Sequence, residues 1–391
     1  MECRWCKNSS FSSILNLPKM PLTDQFLTFE QLGSEYINDI EIVCCESCGL
    51  TQNPKNFNFS DYYKDYNYSS GHSAFVKVFM EKFSDKLVEI YINEFGTPPQ
   101  NIMEIGSGDG VQLKYFKEKH SCLVTGVEPS NKLSREANDL GIKTLHQYFD
   151  ESTIGSCFPN EKFDILLSSF TLDHIPTPKN FLENLWKVSS SNALCCFEIH
   201  DLDIINQRGE WCLFEHEHMI YTDQHFWQNR LEEIGFRIVS INPLPTEVVR
   251  ANSLIVIARK EKIKPIAHIQ SPAPKFNYNK IMKIKNKIEK FIDDNEKAGV
   301  LGWGLGGRGV MTVALIDNYK KINLFFDSNF QENGYYLPKT HIKISNPEQI
   351  KNYPDSKIII FSFGYFREIS ASLMSQGIKE ENIHSLKEFL D

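Results

Sequence analysis

Four cysteines near the start of the chain stand in two pairs, Cys3-x-x-Cys6 and Cys45-x-x-Cys48. Two residues between thiolates let both sulfurs of a tight turn face one cation, and two such turns supply the four ligands of a tetrahedral zinc site. The 38 residues between Cys6 and Cys45 exceed the usual ribbon spacing. Cys44 competes with its neighbour, but only Cys45 stands in register with Cys48. The plain alternative is a set of buried thiols, yet two such pairs within the first 50 residues favour a structural Zn2+ held by Cys3, Cys6, Cys45 and Cys48. Four thiolates leave no open position for substrate, so the ion folds the segment and does no chemistry.

A second candidate is the run Glu104-Ile105-Gly106-Ser107-Gly108-Asp109-Gly110, which follows a strand and opens a helix. Gly106 and Gly108 allow a sharp turn and a close backbone approach to a ligand. The next strand ends in Glu128, where a carboxylate can accept bonds from both hydroxyls of a ribose. Dinucleotide sites use Gly-x-Gly-x-x-Gly, with pyrophosphate on the helix N-terminus. Here the third glycine comes too early, and Glu104 would face phosphate. A carboxylate suits a cation better, and S-adenosylmethionine carries an ammonium and a sulfonium but no phosphate. The run resembles the first motif of class I methyltransferases. Phe163–Ser169, with Ser168 a candidate contact to the donor, resembles their fourth, and Thr171–Pro176 the turn after it. His174 in that turn reads as a structural histidine.

The third is Phe214-Glu215-His216-Glu217-His218, four ionisable groups in five residues. Glu198 and His200 close the strand before it. On an extended segment alternate residues share a face, so His216 and His218 would point one way and Glu215 and Glu217 the other. Taken alone, the run reads as a solvated charged loop. Its other readings are a two-histidine metal site or acid–base chemistry, with a histidine tuned by a carboxylate.

The fourth is Gly302-x-Gly304-x-x-Gly307 followed by Arg308, with Asp327 ending the next strand. This invites an NAD(P)-dependent oxidoreductase, and Tyr335 and Lys339 stand four apart like a dehydrogenase pair. That pair needs one helix face, and Pro338 between them opposes a helix.

The elements that must position these groups follow from hydrophobic patterning. Ile102–Ile105, Leu123–Val127, Ile165–Leu167, Leu194–Phe197 and Leu254–Ala258 read as buried strands alternating with helices, which predicts an α/β domain with a largely parallel sheet. Residues 261–276 read as a proline-bearing linker. Ile281, Ile284, Ile288, Phe291 and Ile292 then mark a helix with a lysine-rich, solvated side. Val300–Gly304, Asn323–Asp327 and Ile358–Phe363 are the strands of a second α/β unit. The expected organisation is a zinc module over 1–72, a methyltransferase domain over 73–260, the linker, and a Rossmann-like domain over 277–391.

Composition narrows the function classes. The 391 residues are 41% hydrophobic and 24% charged, as in a globular chain. A net charge of −8 argues against a nucleic-acid partner. No apolar run approaches the roughly 18 residues that cross a bilayer, so no membrane partner is expected. The first residues have no apolar signal core, which points to the cytoplasm.

The order of these features resembles the sugar C-methyltransferase family of deoxysugar biosynthesis, over nearly the full chain. The resemblance rests on Cys3-Arg4-x-Cys6, Cys45-x-x-Cys48-Gly49-Leu50, Tyr66–Ser73, Glu104-x-Gly106-x-Gly108, Phe197-Glu198, Asp327 and Gly334-Tyr335-Tyr336-Leu337-Pro338. It implies methylation of a carbon beside the ketone of a nucleotide-linked 4-keto sugar, with S-adenosylmethionine as donor. The family Tyr-x-Glu-His falls on residues 215–218, which implies His218 as base and Glu217 as its partner. Glu215 stands where the family has tyrosine, so the substrate, and the choice between methylated carbon and oxygen, stay open. The C-terminal domain is implied to help hold the sugar nucleotide, with Arg308 either meeting phosphate or lying on the surface.

The chemistry suits these residue types. Removing a weakly acidic proton needs a base with a pKa near working pH. The enolate oxygen needs a donor, for which Tyr66 and Tyr68 are candidates, or else packing residues. His216 could substitute as base or line the pocket. The runner-up readings are an O- or N-methyltransferase on a related sugar nucleotide, an oxidoreductase, and a non-catalytic binding protein.

Overall fold

The structure is a computed structural model describing residues 1–56, 74–250, 252–261, 276–328, 330 and 334–390. The chain forms two compact units, neither contiguous in sequence. The first contains Met1–Ser12, Cys44–Leu202 and His218–Ala273; the second contains Ser13–Val43, Asp203–Glu217 and Pro274–Asp391. Tyr66, Tyr68 and the rest of the Tyr66–Ser73 run lie outside the described residues, as does most of the expected linker.

The first unit is built on a seven-stranded sheet. Its strands are β1 (Asn101–Ile105), β2 (Leu123–Val127), β3 (Thr144–Leu145), β4 (Phe163–Ser169), β5 (Ser189–His200), β6 (Phe236–Ile241) and β7 (Ser253–Lys260). The order is β3-β2-β1-β4-β5-β7-β6. Strands β1 to β5 are parallel, and β7 runs antiparallel between β5 and β6. Ile102, Met103, Ile165, Leu166, Leu167, Leu254 and Val256 are fully buried, and each such side chain contributes about 1.5–3 kcal/mol. Burial on both faces explains why these strands are apolar runs without alternation. Helices α1 (Ala74–Phe95), α2 (Val111–His120), α3 (Asn131–Asp139) and α4 (Pro178–Val188) complete the frame.

All five strands expected here are present. Leu194–Phe197 is the apolar middle of a longer strand; β5 begins at Ser189 and runs to His200. That extension sets the position of His200 at the carboxyl end of the parallel sheet.

The second unit holds a five-stranded parallel sheet of β8 (Val300–Trp303), β9 (Ile322–Phe326), β10 (Ile344–Ser345), β11 (Lys357–Ile360) and β12 (Ile383–Ser385), in the order β10-β9-β8-β11-β12. Helix α5 (Tyr278–Asp294) buries Ile281, Ile284, Ile288 and Ile292 as its periodicity requires. Its lysine-rich side is not wholly solvated: Lys285 is buried and pairs with Glu289 at 2.8 Å and Asp317 at 2.6 Å. Helix α6 (Gly307–Leu315) opens directly after the second glycine turn. No helix among the described residues is long and apolar enough to cross a membrane.

Candidate active site

The N-terminal cysteines converge within the first unit. Cys3, Cys6, Cys45 and Cys48 place their sulfurs within 4.8 Å of one another, with Cys3–Cys48 at 3.5 Å and Cys6–Cys45 at 3.6 Å. A sulfur cluster this tight is unfavourable for four thiolates without a cation, and it matches tetrahedral Zn2+. The hydrogen bond from Cys48 pulls the Cys3 thiol down to about 5, although burial opposes ionisation. Cys44 turns away, its sulfur directed to the Gly49 carbonyl. The module is fixed by packing and by charge. Trp5 sits edge-on to Phe226 and Trp227 and bonds Glu233. Arg4 donates to the Asn53, Lys55 and Pro176 carbonyls.

The first glycine turn leaves β1 beside the end of β2. Gly106 has φ +71°, and a Cβ there would lie 2.1 Å from Thr171 Oγ1, so only glycine fits. At Gly108, also with positive φ, no described atom would meet a Cβ within 4 Å, which leaves the turn open to a ligand. Glu128 accepts from the backbone N–H of Gly108 at 2.9 Å and of Ser130 at 2.8 Å. Burial raises its pKa against those bonds. Each of its oxygens keeps a lone pair for a hydroxyl donor. Glu104 is buried, and its Oε2 meets no donor among the described residues. Burial, then the charge of Asp109, pushes its carboxyl well above the ordinary range. A cation beside the open glycine turn would favour the ionised form of this buried carboxyl group and engage its Oε2, and Ser107 and Ser168 add buried hydroxyls that bond to no described residue. These features fit S-adenosylmethionine.

The same unit gathers three histidines around one aspartate. Asp173, from the turn after β4, accepts from His200 Nδ1 at 2.7 Å through Oδ2. His174 Nε2 lies 3.9 Å from Oδ1. The His218 ring is 4.7 Å from that of His174 and 4.9 Å from that of His200. Burial opposes charge on Asp173, but the His200 bond and the fields of His174, His200 and His218 hold it ionised, well below the usual carboxylate range. His174, read from the sequence as a structural histidine, packs its ring on that of His218. Asp173 and His200 carried no sequence signal beyond their places at the carboxyl ends of β4 and β5, the edge where open α/β sheets bind ligands. Glu198, also near that edge, is fully buried and ion-paired with Arg250.

The charged run 214–218 is neither solvated nor extended. Glu215, His216, Glu217 and His218 are all buried, and the chain bends at 216–217. In the second unit, His216 Nε2 bonds the Met20 carbonyl at 2.9 Å and its ring meets Tyr36. Thr23 Oγ1 donates to Glu217 at 2.8 Å and lies 3.4 Å from Glu215. Two histidines expected on one face thus have different surroundings. Burial, then Glu217, pushes the Glu215 carboxyl well above its ordinary value.

Glu215 also occupies the start of α6. A Cβ on Gly307 would lie 2.0 Å from Glu215 Oε1. The helix N-terminus that a dinucleotide phosphate would need is therefore already taken by a carboxyl group. Asp327 accepts from the Leu305 N–H at 2.9 Å, so it fixes the turn. Arg308 faces Glu210 at 3.7 Å. Tyr335 lies in a short strand and Lys339 has φ +64°, so the two share no helix.

Seven strands with one reversed strand next to the edge, an open glycine turn after β1 and an acidic end to β2 define a class I, S-adenosylmethionine-dependent methyltransferase. In agreement, residues 78–241 match a family described as a methyltransferase domain. Residues 3–63 match a zinc-binding domain, and residues 251–381 match a C-methyltransferase C-terminal domain. Together, and in this order, the three matches agree with a C-methyltransferase that carries an N-terminal zinc module. Comparison with curated proteins gives no match. Among solved structures, the plantazolicin methyltransferase BamL, in complex with a triazolic desmethylPZN analog and SAH, is 12% identical, with 50% of this chain and 88% of that one covered and a TM-score of 0.41. An S-adenosylmethionine-dependent methyltransferase from Clostridium acetobutylicum ATCC 824 is 12% identical, with 52% and 96% covered and a TM-score of 0.37.

Proposed function

We propose that this methyltransferase acts on a carbon beside the ketone of a nucleotide-linked keto sugar, with His218 as the base. The observation that carries the reading is the packing of His218 against His174 and His200 around the ionised Asp173. A buried carboxylate stabilises the imidazolium that forms when a histidine takes a proton. The enolate left behind needs a donor for its oxygen. His174 and His200 are placed in the same cluster, and Tyr66 and Tyr68 remain candidates from the sequence.

The glycine turn is assigned to the donor. Glu128 would accept from ribose hydroxyls, and Glu104 would face the ammonium of the methionine moiety, with Gly106, Gly108 and Ser168 lining the turn. When bound, S-adenosylmethionine supplies an electrophilic methyl group on a sulfonium. The protein's part is to hold the carbon nucleophile in place and keep the proton on His218. Glu217 is assigned as the partner of His218 and His216 as a substitute base or a pocket-lining residue, while Glu215 and Arg308 are assigned to the sugar nucleotide.

The test is proton exchange. The protein is incubated in D2O with a panel of nucleotide-linked 4-keto sugars and followed by NMR without donor, then with labelled donor by mass spectrometry. Exchange beside the ketone followed by a carbon-bound methyl group is the expected result. A methyl group on oxygen or nitrogen, without exchange, overturns the reading.

A further inference from the structure

The histidine cluster of the first unit has the donor set of a metal site. Asp173, His174 and His218 each offer one ligand atom, and these atoms lie within 4.8 Å of one another. Asp173 is 2% exposed, and its buried Oδ1 accepts no hydrogen bond among the described residues. Its other oxygen is engaged by His200 at 2.7 Å. Metal-binding carboxylates are commonly arranged so, one oxygen toward the ion and the other held by an outer partner that fixes its orientation. A buried acceptor left without a donor is costly, more so when charged, and a cation at Oδ1 would remove that cost.

We propose that Asp173, His174 and His218 form a second metal site, distinct from the four cysteines, for a first-row divalent cation such as Zn2+, Mn2+ or Fe2+. Two imidazoles and one carboxylate suit these ions better than Mg2+ or Ca2+, which prefer all-oxygen sets. Three protein ligands leave positions open, unlike the closed four-thiolate site. One consequence rests on the proposed role of His218. A cation there takes the imidazole lone pair that would otherwise accept the substrate proton, so occupancy blocks proton removal.

The experiment titrates protein carrying its cysteine-bound zinc with Co2+, followed by visible absorption and metal analysis. One additional equivalent is expected, with weak visible bands and no new thiolate charge-transfer band, because the ligands are nitrogen and oxygen. Asp173→Asn and His174→Ala should each weaken that equivalent by at least about tenfold, while keeping the first zinc equivalent and the wild-type circular dichroism spectrum. No second equivalent, a second equivalent with a thiolate band, or undiminished binding by both variants overturns the site. The second arm repeats the D2O exchange with and without Co2+. Loss of exchange on cobalt binding supports the blocking consequence, and unchanged exchange with cobalt bound overturns it. Absence of exchange in cobalt-free protein counts against His218 as base, and the titration then decides the metal site by itself.

Discussion

Asp173 and His200 are joined by a 2.7 Å hydrogen bond between a fully buried carboxylate and an imidazole at the end of β5. The carboxylate is ionised, so the Nδ1 of His200 must carry the proton it donates. This fixes both the ring's orientation and its tautomer. Removing the ring leaves a buried charge with a partner lost. His200→Ala should therefore lower stability by about 1.5–3 kcal/mol, the range for a hydrogen bond to a charged group. Urea denaturation checks this, and an unchanged midpoint would mean that His174 and His218 suffice to hold the charge.

The zinc module makes a second prediction. Purified protein should contain about one equivalent of zinc per chain in the cysteine site. Trp5 packs on Phe226 and Trp227, and Arg230 donates to the Cys48 carbonyl. Loss of the ion should therefore loosen the edge of the methyltransferase domain and not only the first residues. Cys45→Ser should lower metal content and melting temperature together, whereas Cys44→Ser should keep the zinc, because the Cys44 sulfur lies outside the cluster. Elemental analysis of both variants decides.

Glu128 tests the donor site. Glu128→Ala removes the carboxylate assigned to the ribose and should weaken S-adenosylmethionine binding by about 1.5–3 kcal/mol. Gly106→Ala should be more severe, since the new methyl group would collide with Thr171 and the backbone has positive φ. Calorimetry reads both. NADH should give no binding heat, because a Glu215 carboxyl group already sits at the start of α6.

Much of this frame was legible from residue type and spacing. Strands β1, β4 and β8, and the antiparallel β7, are buried on both faces and so announce themselves as short apolar runs, as β2 does over its last three residues. The two-residue strands β3 and β10 are too short to show a pattern. The long strand Phe11–Pro21 carries Pro18 and Lys19, the latter with positive φ, and its alternation is broken there. Cys3, Cys6, Cys45 and Cys48 were readable because paired spacing is itself the signal. The cluster of Asp173, His174, His200 and His218 was not, because its members come from three separate segments brought together at the carboxyl edge of the sheet. The Glu215–His218 run misled in the opposite way. Its polar composition suggests an exposed loop, but each side chain is buried among partners that sequence spacing does not reveal.

Glu215 should make stability depend on pH. Burial first, and Glu217 second, raise its folded-state pKa above the unfolded value near 4.3. The folded protein therefore holds this proton more tightly than the unfolded chain. The stabilisation from that proton is complete below the unfolded pKa and is lost as pH rises through the folded one. Glu215→Gln keeps the shape and removes the titration. Its urea midpoint should exceed that of the wild type increasingly toward neutral pH, and the two should converge near pH 4. Parallel curves over that range would place the proton elsewhere.

The two histidines of the bent segment test the proposed base. His218 packs on His174 and His200, and its loss should abolish proton exchange while leaving donor affinity nearly intact, because the donor is assigned to the Gly106 turn. Removing a general base typically costs about 10²–10⁴ in rate. His216 instead bonds the Met20 carbonyl and meets the Tyr36 ring. Its replacement by alanine strands that contact and should lower the melting temperature, with exchange reduced much less than in His218→Ala. Exchange rates beside the ketone, measured for both variants at a temperature where each is folded, give the comparison. Equal exchange by wild type and His218→Ala would remove His218 from the chemistry, and a collapse of exchange in His216→Ala alone would move the base to the other side of the bend.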